Sequence, residues 1–292
     1  MNELVTIVII TYKRPLEIIK RAVSSVLSQT YTKFEVILVN DAPEDISLSK
    51  DINEYVIGLQ DSRVRYIEHK KNMGANAARN TGLRNANGKY ICFLDDDDEF
   101  IEHKLELQVP MINDNVGLVY GPFYVRKNGQ DTITKIVRPD NPLKAILQGN
   151  FIGSTSFPLL LTEAVRKVGG FDEKLISCQE YDLWIRIIKQ YKIRCCKAPL
   201  GIYYISKDST FKNSEKYSLG IECIINKYAS LYSQYRRVLS NRYVNMSFTM
   251  LKKCELKRAL FYRIKAIKSD ISNPNNILLL YIINKLYKRI HV

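Results

Sequence analysis

The stretch Tyr90-Ile91-Cys92-Phe93-Leu94-Asp95-Asp96-Asp97-Asp98 sets five apolar residues directly before four carboxylates. The apolar run is short, rich in β-branched and aromatic residues, and preceded by the turn pair Asn87-Gly88, so it predicts a buried strand. Four adjacent carboxylates at a strand end repel one another and raise one another's pKa. A divalent cation relieves that repulsion, and Mg²⁺ or Mn²⁺ takes hard oxygen ligands. A solvated acidic turn is the competing reading of the tetrad taken alone.

Outward from this stretch, strand and helix signals alternate. Leu4 to Thr11 (LVTIVIIT) is a continuous apolar run of the kind found in parallel strands buried on both faces. Pro15 opens a helix with Leu16, Ile19, Ala22, Val23, Val26 and Leu27 at helical spacing. A second strand, 34–40, ends at Asp41; a helix over 46–59, a strand over 63–67 and a helix over about 74–86 lead to the fourth strand and its tetrad. Such alternation predicts an α/β fold with a mainly parallel sheet, whose ligands bind beyond the carboxyl ends of the strands. Thr11-Tyr12, Asp41 and Asp95–Asp98 all fall at that edge. Neither GxGxxG nor a P-loop is present, so a bound nucleotide would have its diphosphate held by metal.

Shorter strands are expected at 116–120, 123–126 and 132–137, a helix over 162–168 ending at Gly169-Gly170, a helix over 179–190, and terminal strands within 193–204. In the 179–190 helix, Leu183, Trp184 and Ile187 follow Glu180 by three, four and seven residues, which aims Glu180 at the interior. Asp182 has Arg186 four residues on and reads as a surface pair. A carboxyl on a buried face suits a general base, while Ser177-x-x-Glu180 equally suits a capping box.

The 292 residues carry a net charge of +14, placed unevenly: residues 211–292 hold 16 Lys and Arg against 4 Asp and Glu, and residues 1–210 hold 28 against 26. The expected organisation is therefore a domain over 1–210 and a basic helical tail over 211–292. The six cysteines show no CxxC spacing, and no His/Cys zinc pattern appears. No signal peptide is evident, and no run reaches the ~18 apolar residues of a spanning helix. The expectation is a cytoplasmic protein with reduced thiols.

Taken together, the ordered motifs resemble those of the inverting glycosyltransferases of family 2, which have the GT-A fold. They are TIVIITYKR (6–14), SVLSQTY (25–31), VND (39–41), NMGANAARNTG (72–82), FLDDDD (93–98), VGGFDE (168–173) and the Glu180 helix, covering roughly residues 4–205. The resemblance implies that Thr11, Tyr12 and Asp41 line the base pocket of a UDP-sugar donor, with Arg79 supporting it or forming an internal salt bridge. It implies Asp97 as the direct ligand of Mn²⁺ or Mg²⁺, Asp95 and Asp96 near ribose and metal, and Glu180 as catalytic base. Asp98 receives no chemistry. Tyr203-Tyr204-Ile205-Ser206 stands where many members carry arginine and histidine, and QxxRW of processive synthases is absent, which favours transfer of one sugar per encounter.

The tail mixes lysine and arginine with apolar and tyrosine residues, ending in the run Ile277–Arg289, a composition suited to an anionic membrane surface, with nucleic acid the weaker rival. A bundle packed on the body is the bland alternative. Attachment to the inner face of the cytoplasmic membrane fits a lipid-diphosphate-linked sugar acceptor. Two other function classes share such a frame. A sugar-nucleotide nucleotidyltransferase is expected to carry a glycine-rich phosphate loop, unlike Thr11-Tyr12-Lys13-Arg14; a non-catalytic nucleotide-sugar binder is the other.

Overall fold

The computed structural model describes residues 3–205 and 214–276, which fall into two compact units. The first holds residues up to 142 together with 152–205; the second holds 143–151 with the residues from 214 on.

In the first unit the strands are β1 (Val5–Thr11), β2 (Phe34–Asn40), β3 (Val64–Glu68), β4 (Tyr90–Asp95), β5 (Glu99–Phe100), β6 (Val116–Tyr120), β7 (Tyr124–Lys127), β8 (Gln130–Ile133), β9 (Leu159–Leu161), β10 (Lys192–Cys195) and β11 (Gly201–Tyr204). Its helices are α1 (Leu16–Leu27), α2 (Ile46–Gly58), α3 (Ala75–Asn85), α4 (Lys104–Gln108), α6 (Thr162–Lys167) and α7 (Gln179–Ile188); α5 (Pro142–Gln148) leads into the second unit. Seven strands form one sheet in the order β10-β6-β9-β4-β1-β2-β3. All pairings are parallel except those of β9, which runs against both β4 and β6. The side chains of β1, β2 and β4 are buried on both faces, which explains their unbroken apolar runs.

β5, β11, β7 and β8 make a second, smaller sheet. The expected strand at 132–137 lies earlier, because Asn128 and Gly129 both adopt positive φ (51° and 79°) and close a two-residue hairpin that pairs Lys127 with Gln130.

Helix α3 lies hard against β1: a Cβ on Gly82 would sit 2.2 Å from Val8 Cγ1, so only glycine permits the approach. Its buried asparagines bind the loop that leads to α7. Asn76 Nδ2 donates to the carbonyls of Asp172 and Leu175, and Asn80 Nδ2 donates to Phe171 O and Glu173 Oε1. Asn80 Oδ1 accepts from Phe171 N–H. The motifs NAARNTG and VGGFDE thus meet and hold each other.

The second unit is helical: α8 (Ser214–Lys227), α9 (Ala229–Gln234), α10 (Arg236–Lys252) and α11 (Leu256–Ser269). Residues 143–151 join it through Tyr232 OH, which donates to Leu147 O, and Arg242 Nη1, which donates to Gln148 O. The run Ile277–Arg289 lies outside the described residues. No described helix is long and apolar enough to cross a membrane.

Candidate active site

The parallel strands bring Thr11, Asn40-Asp41 and Asp95 to one edge of the sheet, and the tetrad turns there into β5. Its four carboxylates do four different things. Asp96 is buried, accepting from Thr11 Oγ1 at 2.7 Å and Arg14 Nε at 3.0 Å, and burial pushes its pKa up to about 6 despite those partners. Asp98 is fully buried, accepts from Ser156 Oγ at 2.6 Å and Tyr204 N–H at 3.2 Å, and is held well above the usual carboxylate range by burial and then by the charge of Asp95. It pegs β4, the loop before β9 and β11 together, the role the sequence left blank.

Asp95 and Asp97 are the two that keep solvent access, with side chains 30% and 26% exposed. Asp95 pairs with Arg79 Nη2 at 2.6 Å, so of the two roles weighed for Arg79 the structure displays the internal salt bridge. Asp97 Oδ2 lies 3.1 Å from Arg14 Nη2, and burial together with the charge of Asp95 raises its pKa. Arg21 donates to the Asp97 carbonyl. Arg14 and Arg21 thus hold the acidic turn in place, a function that motif reading missed.

Two repelling carboxylates of hard oxygen donors suit Mg²⁺ or Mn²⁺. No third His, Cys, Asp or Glu joins them as a ligand set among the described residues. That suits a cation that takes one or two carboxylates and completes its shell with phosphate oxygens and water.

Tyr12 follows β1 and is 46% exposed, with Lys13 Nζ 5.2 Å from its ring centre. Asp41 is less open. It is 3% exposed, and it accepts from Met73 N–H at 2.8 Å, Gly74 N–H at 2.7 Å and His69 Nδ1 at 2.7 Å. Gly74 caps α3 at φ 88°, a conformation that glycine reaches without strain. Asp41 therefore fastens the start of α3 to the end of β2. Thr11 likewise turns its hydroxyl to Asp96 and away from solvent.

Glu180 stands in the first turn of α7 and is half-buried. The N-cap is Cys178, in the left-handed conformation at φ 60°, so the helix begins one residue later than a Ser177 capping box requires. Asp182 is a correction to the sequence reading. It is fully buried and receives Arg186 Nη2 at 2.6 Å and Nε at 2.8 Å, because α7 is covered on nearly all sides and not on one stripe.

Tyr203 joins the two halves of the site. Its ring lies 6.2 Å from Phe123, which stacks on Phe157 at 4.6 Å, next to the Ser156 that holds Asp98. Phe123 also packs on Gly153, whose carbonyl is 3.5 Å from Trp184 Nε1 on the Glu180 helix. Burial raises the phenol's pKa, and the charges of Asp98, Asp95, Asp97 and Glu180 add to it. The charges of the open carboxylates and of Glu180 thus converge on the Tyr203 phenol.

A family model described as glycosyl transferase family 2 matches residues 6–169. Among similar proteins, the Escherichia coli UDP-Glc:alpha-D-GlcNAc-diphosphoundecaprenol beta-1,3-glucosyltransferase WfgD is 31% identical over 202 residues, covering 68% of this chain and 76% of WfgD. A glycosyltransferase of Rickettsia bellii is 33% identical over 215 residues, 69% of this chain, but the match spans only 29% of that relative's length. Among solved structures, the mannosyltransferase PcManGT of Pyrobaculum calidifontis, in complex with GDP-Man and Mn²⁺, superposes with a TM-score of 0.62 at 17% identity, covering 96% of this chain and 79% of that one. Staphylococcus aureus TarS 1-349 in complex with UDP-GlcNAc gives 0.58 at 12% identity, covering 90% and 91%. At such identities the structural likeness shows the fold, which is GT-A.

Proposed function

The chain belongs to glycosyl transferase family 2, and on that premise we propose an inverting glycosyltransferase that moves one hexose, glucose or galactose, from a UDP-sugar to a lipid-linked sugar. The proposed acceptor is GlcNAc-diphospho-undecaprenol, and the product a β-linked unit of a surface polysaccharide. The similarity to WfgD supports this choice of donor and acceptor. The proposed place of action is the inner face of the cytoplasmic membrane, where such an acceptor resides. The observation that supports the reaction type is the convergence of the charges of Asp95, Asp97 and Glu180 on the Tyr203 phenol, with Asp95 and Asp97 keeping solvent access.

Tyr12, half exposed beyond β1, would stack on the base, and Asp41 would shape its pocket by fixing the start of α3. Asp97, with Asp95 beside it, would hold Mn²⁺ or Mg²⁺, which when bound supplies Lewis-acid stabilisation of charge on the diphosphate. Tyr203 keeps its proton against the surrounding carboxylates and serves as a donor to an anionic or hydroxyl oxygen. Glu180 takes the proton of the acceptor hydroxyl as its oxygen bonds to the anomeric carbon. The bond from that carbon to the diphosphate breaks, its electron pair leaving with UDP. A single displacement inverts the centre, so an α-linked donor yields a β-linked product.

The test is UDP release from a panel of UDP-sugars, with and without Mn²⁺ and a GlcNAc-diphospholipid acceptor. Glu180→Gln and Asp97→Ala should each lower turnover by roughly 10²-fold or more while leaving the melting curve in place. Near-normal turnover by purified Glu180→Gln would rule out the base assignment.

A further inference from the structure

Helix α11 carries large apolar side chains on its exposed face. Its inward residues are Ala259, Tyr262, Arg263 and Ala266, all buried. Its exposed residues are Leu256, Lys257, Leu260, Phe261, Ile264 and Lys268. The four apolar ones are 70%, 55%, 51% and 46% exposed, and Ile271, just beyond the helix, is 80% exposed. At roughly 100° per residue these six fall on one arc of the helix. A helix of an ordinary soluble domain turns such an arc inward.

We propose that this face of α11 is a bilayer-contacting surface that lies along anionic lipid. The apolar side chains have the size and continuity to enter the acyl boundary, and the two lysines among them reach headgroups on flexible stems. Charge supports the choice of occupant. The acids near α11 are already engaged, Glu255 and Glu215 by Arg258 and Glu222 by Lys265. Lys257 and Lys268 have no acidic partner among the described residues, so the arc presents cations alone. A second copy of the chain is a poorer occupant, since an isologous contact would bring these lysines against their own kind. The surface deepens the proposed membrane-side role, and it is tested without turnover, so its failure leaves the family reading standing.

The experiment is flotation of the full chain with vesicles of phosphatidylcholine alone or with about a third phosphatidylglycerol. The unaltered protein should float with the anionic vesicles at low salt and be largely released at about 1 M salt, where the screening length is ~3 Å. Leu260→Glu/Phe261→Glu should lower partitioning at least tenfold with an unchanged melting temperature, both positions being solvent-facing. Lys257→Ala/Lys268→Ala should weaken binding several-fold on the anionic vesicles only. Flotation of the double glutamate variant at the level of the unaltered protein overturns the proposal. So does a failure of the unaltered protein to float, or indifference to phosphatidylglycerol. A self-association abolished by the glutamates, with no vesicle binding, overturns it in favour of a second copy.

Discussion

Lys104 carries an ammonium group into the core of the first unit. It is fully buried; its Nζ donates to Gln108 Oε1 at 2.8 Å and lies 4.2 Å from the Phe100 ring centre. No carboxylate pairs with it among the described residues, and burial lowers its pKa below the ordinary 10.5. The folded state therefore holds this proton less tightly than the unfolded chain does, and unfolding takes protons up. The penalty is full below the folded pKa and fades as pH rises from there towards 10.5, at about 1.4 kcal/mol per pH unit across that window. Denaturant unfolding between neutral pH and pH 10 should show stability climbing with pH, and Lys104→Met should flatten the climb. Equal slopes in the two proteins would assign the effect elsewhere. Glu180 and Lys104 illustrate the same limit at this scale. Helical spacing announced the partly buried setting of Glu180, but nothing local announced a fully buried lysine.

At the scale of elements, the approach of α3 to the loop before α7 decides where Glu180 stands. Asn80 makes three hydrogen bonds across that contact, to Phe171 O, to Glu173 Oε1 and from Phe171 N–H. Asn80→Ala leaves buried backbone groups unpaired and should cost about 2–4 kcal/mol. If the clasp positions the base, kcat falls about tenfold or more while UDP affinity stays nearly constant. A stability loss with unaltered kcat would make the clasp purely structural. The strands β1, β2 and β4 were legible because burial on both faces leaves a continuous apolar signature. β9, three residues set antiparallel between β4 and β6, and β5, two residues long, were not legible. Pairing with distant partners leaves no period in so short a segment. The 128–133 hairpin was misplaced for a different reason: its register follows from the positive φ of Asn128 and Gly129, not from hydrophobic alternation.

For the whole molecule, ligand binding couples to the stability of the first unit. Free ligand at 100 times its dissociation constant adds about 2.7 kcal/mol, which for a domain of this size raises Tm by roughly 5–10 °C. Differential scanning fluorimetry with UDP and Mn²⁺ together should show that rise. Removing Mn²⁺ with a chelator, or introducing Asp97→Ala, should abolish most of it. A shift produced by UDP alone, insensitive to the chelator, would detach the nucleotide from the carboxylates. The assignment of residues 143–151 to the helical unit, through Tyr232 and Arg242, could not be read from a sequence in which those residues sit well inside the first domain's span.

The sequence by itself determined the α/β class, the strand edge on which Thr11, Asp41 and the tetrad gather, and the family to which the ordered motifs belong. Those are consequences of local periodicity and of parallel strands ending at a common edge. The family resemblance ranked the four aspartates, but only the tertiary structure gave each its burial and partners. Asp96 is taken by Thr11 and Arg14, Asp98 by Ser156 and Tyr204, and Asp95 and Asp97 keep solvent access. Only the structure, too, turned the leucines of α11 outward and Arg263 inward, because which face of a helix is buried depends on what packs against it.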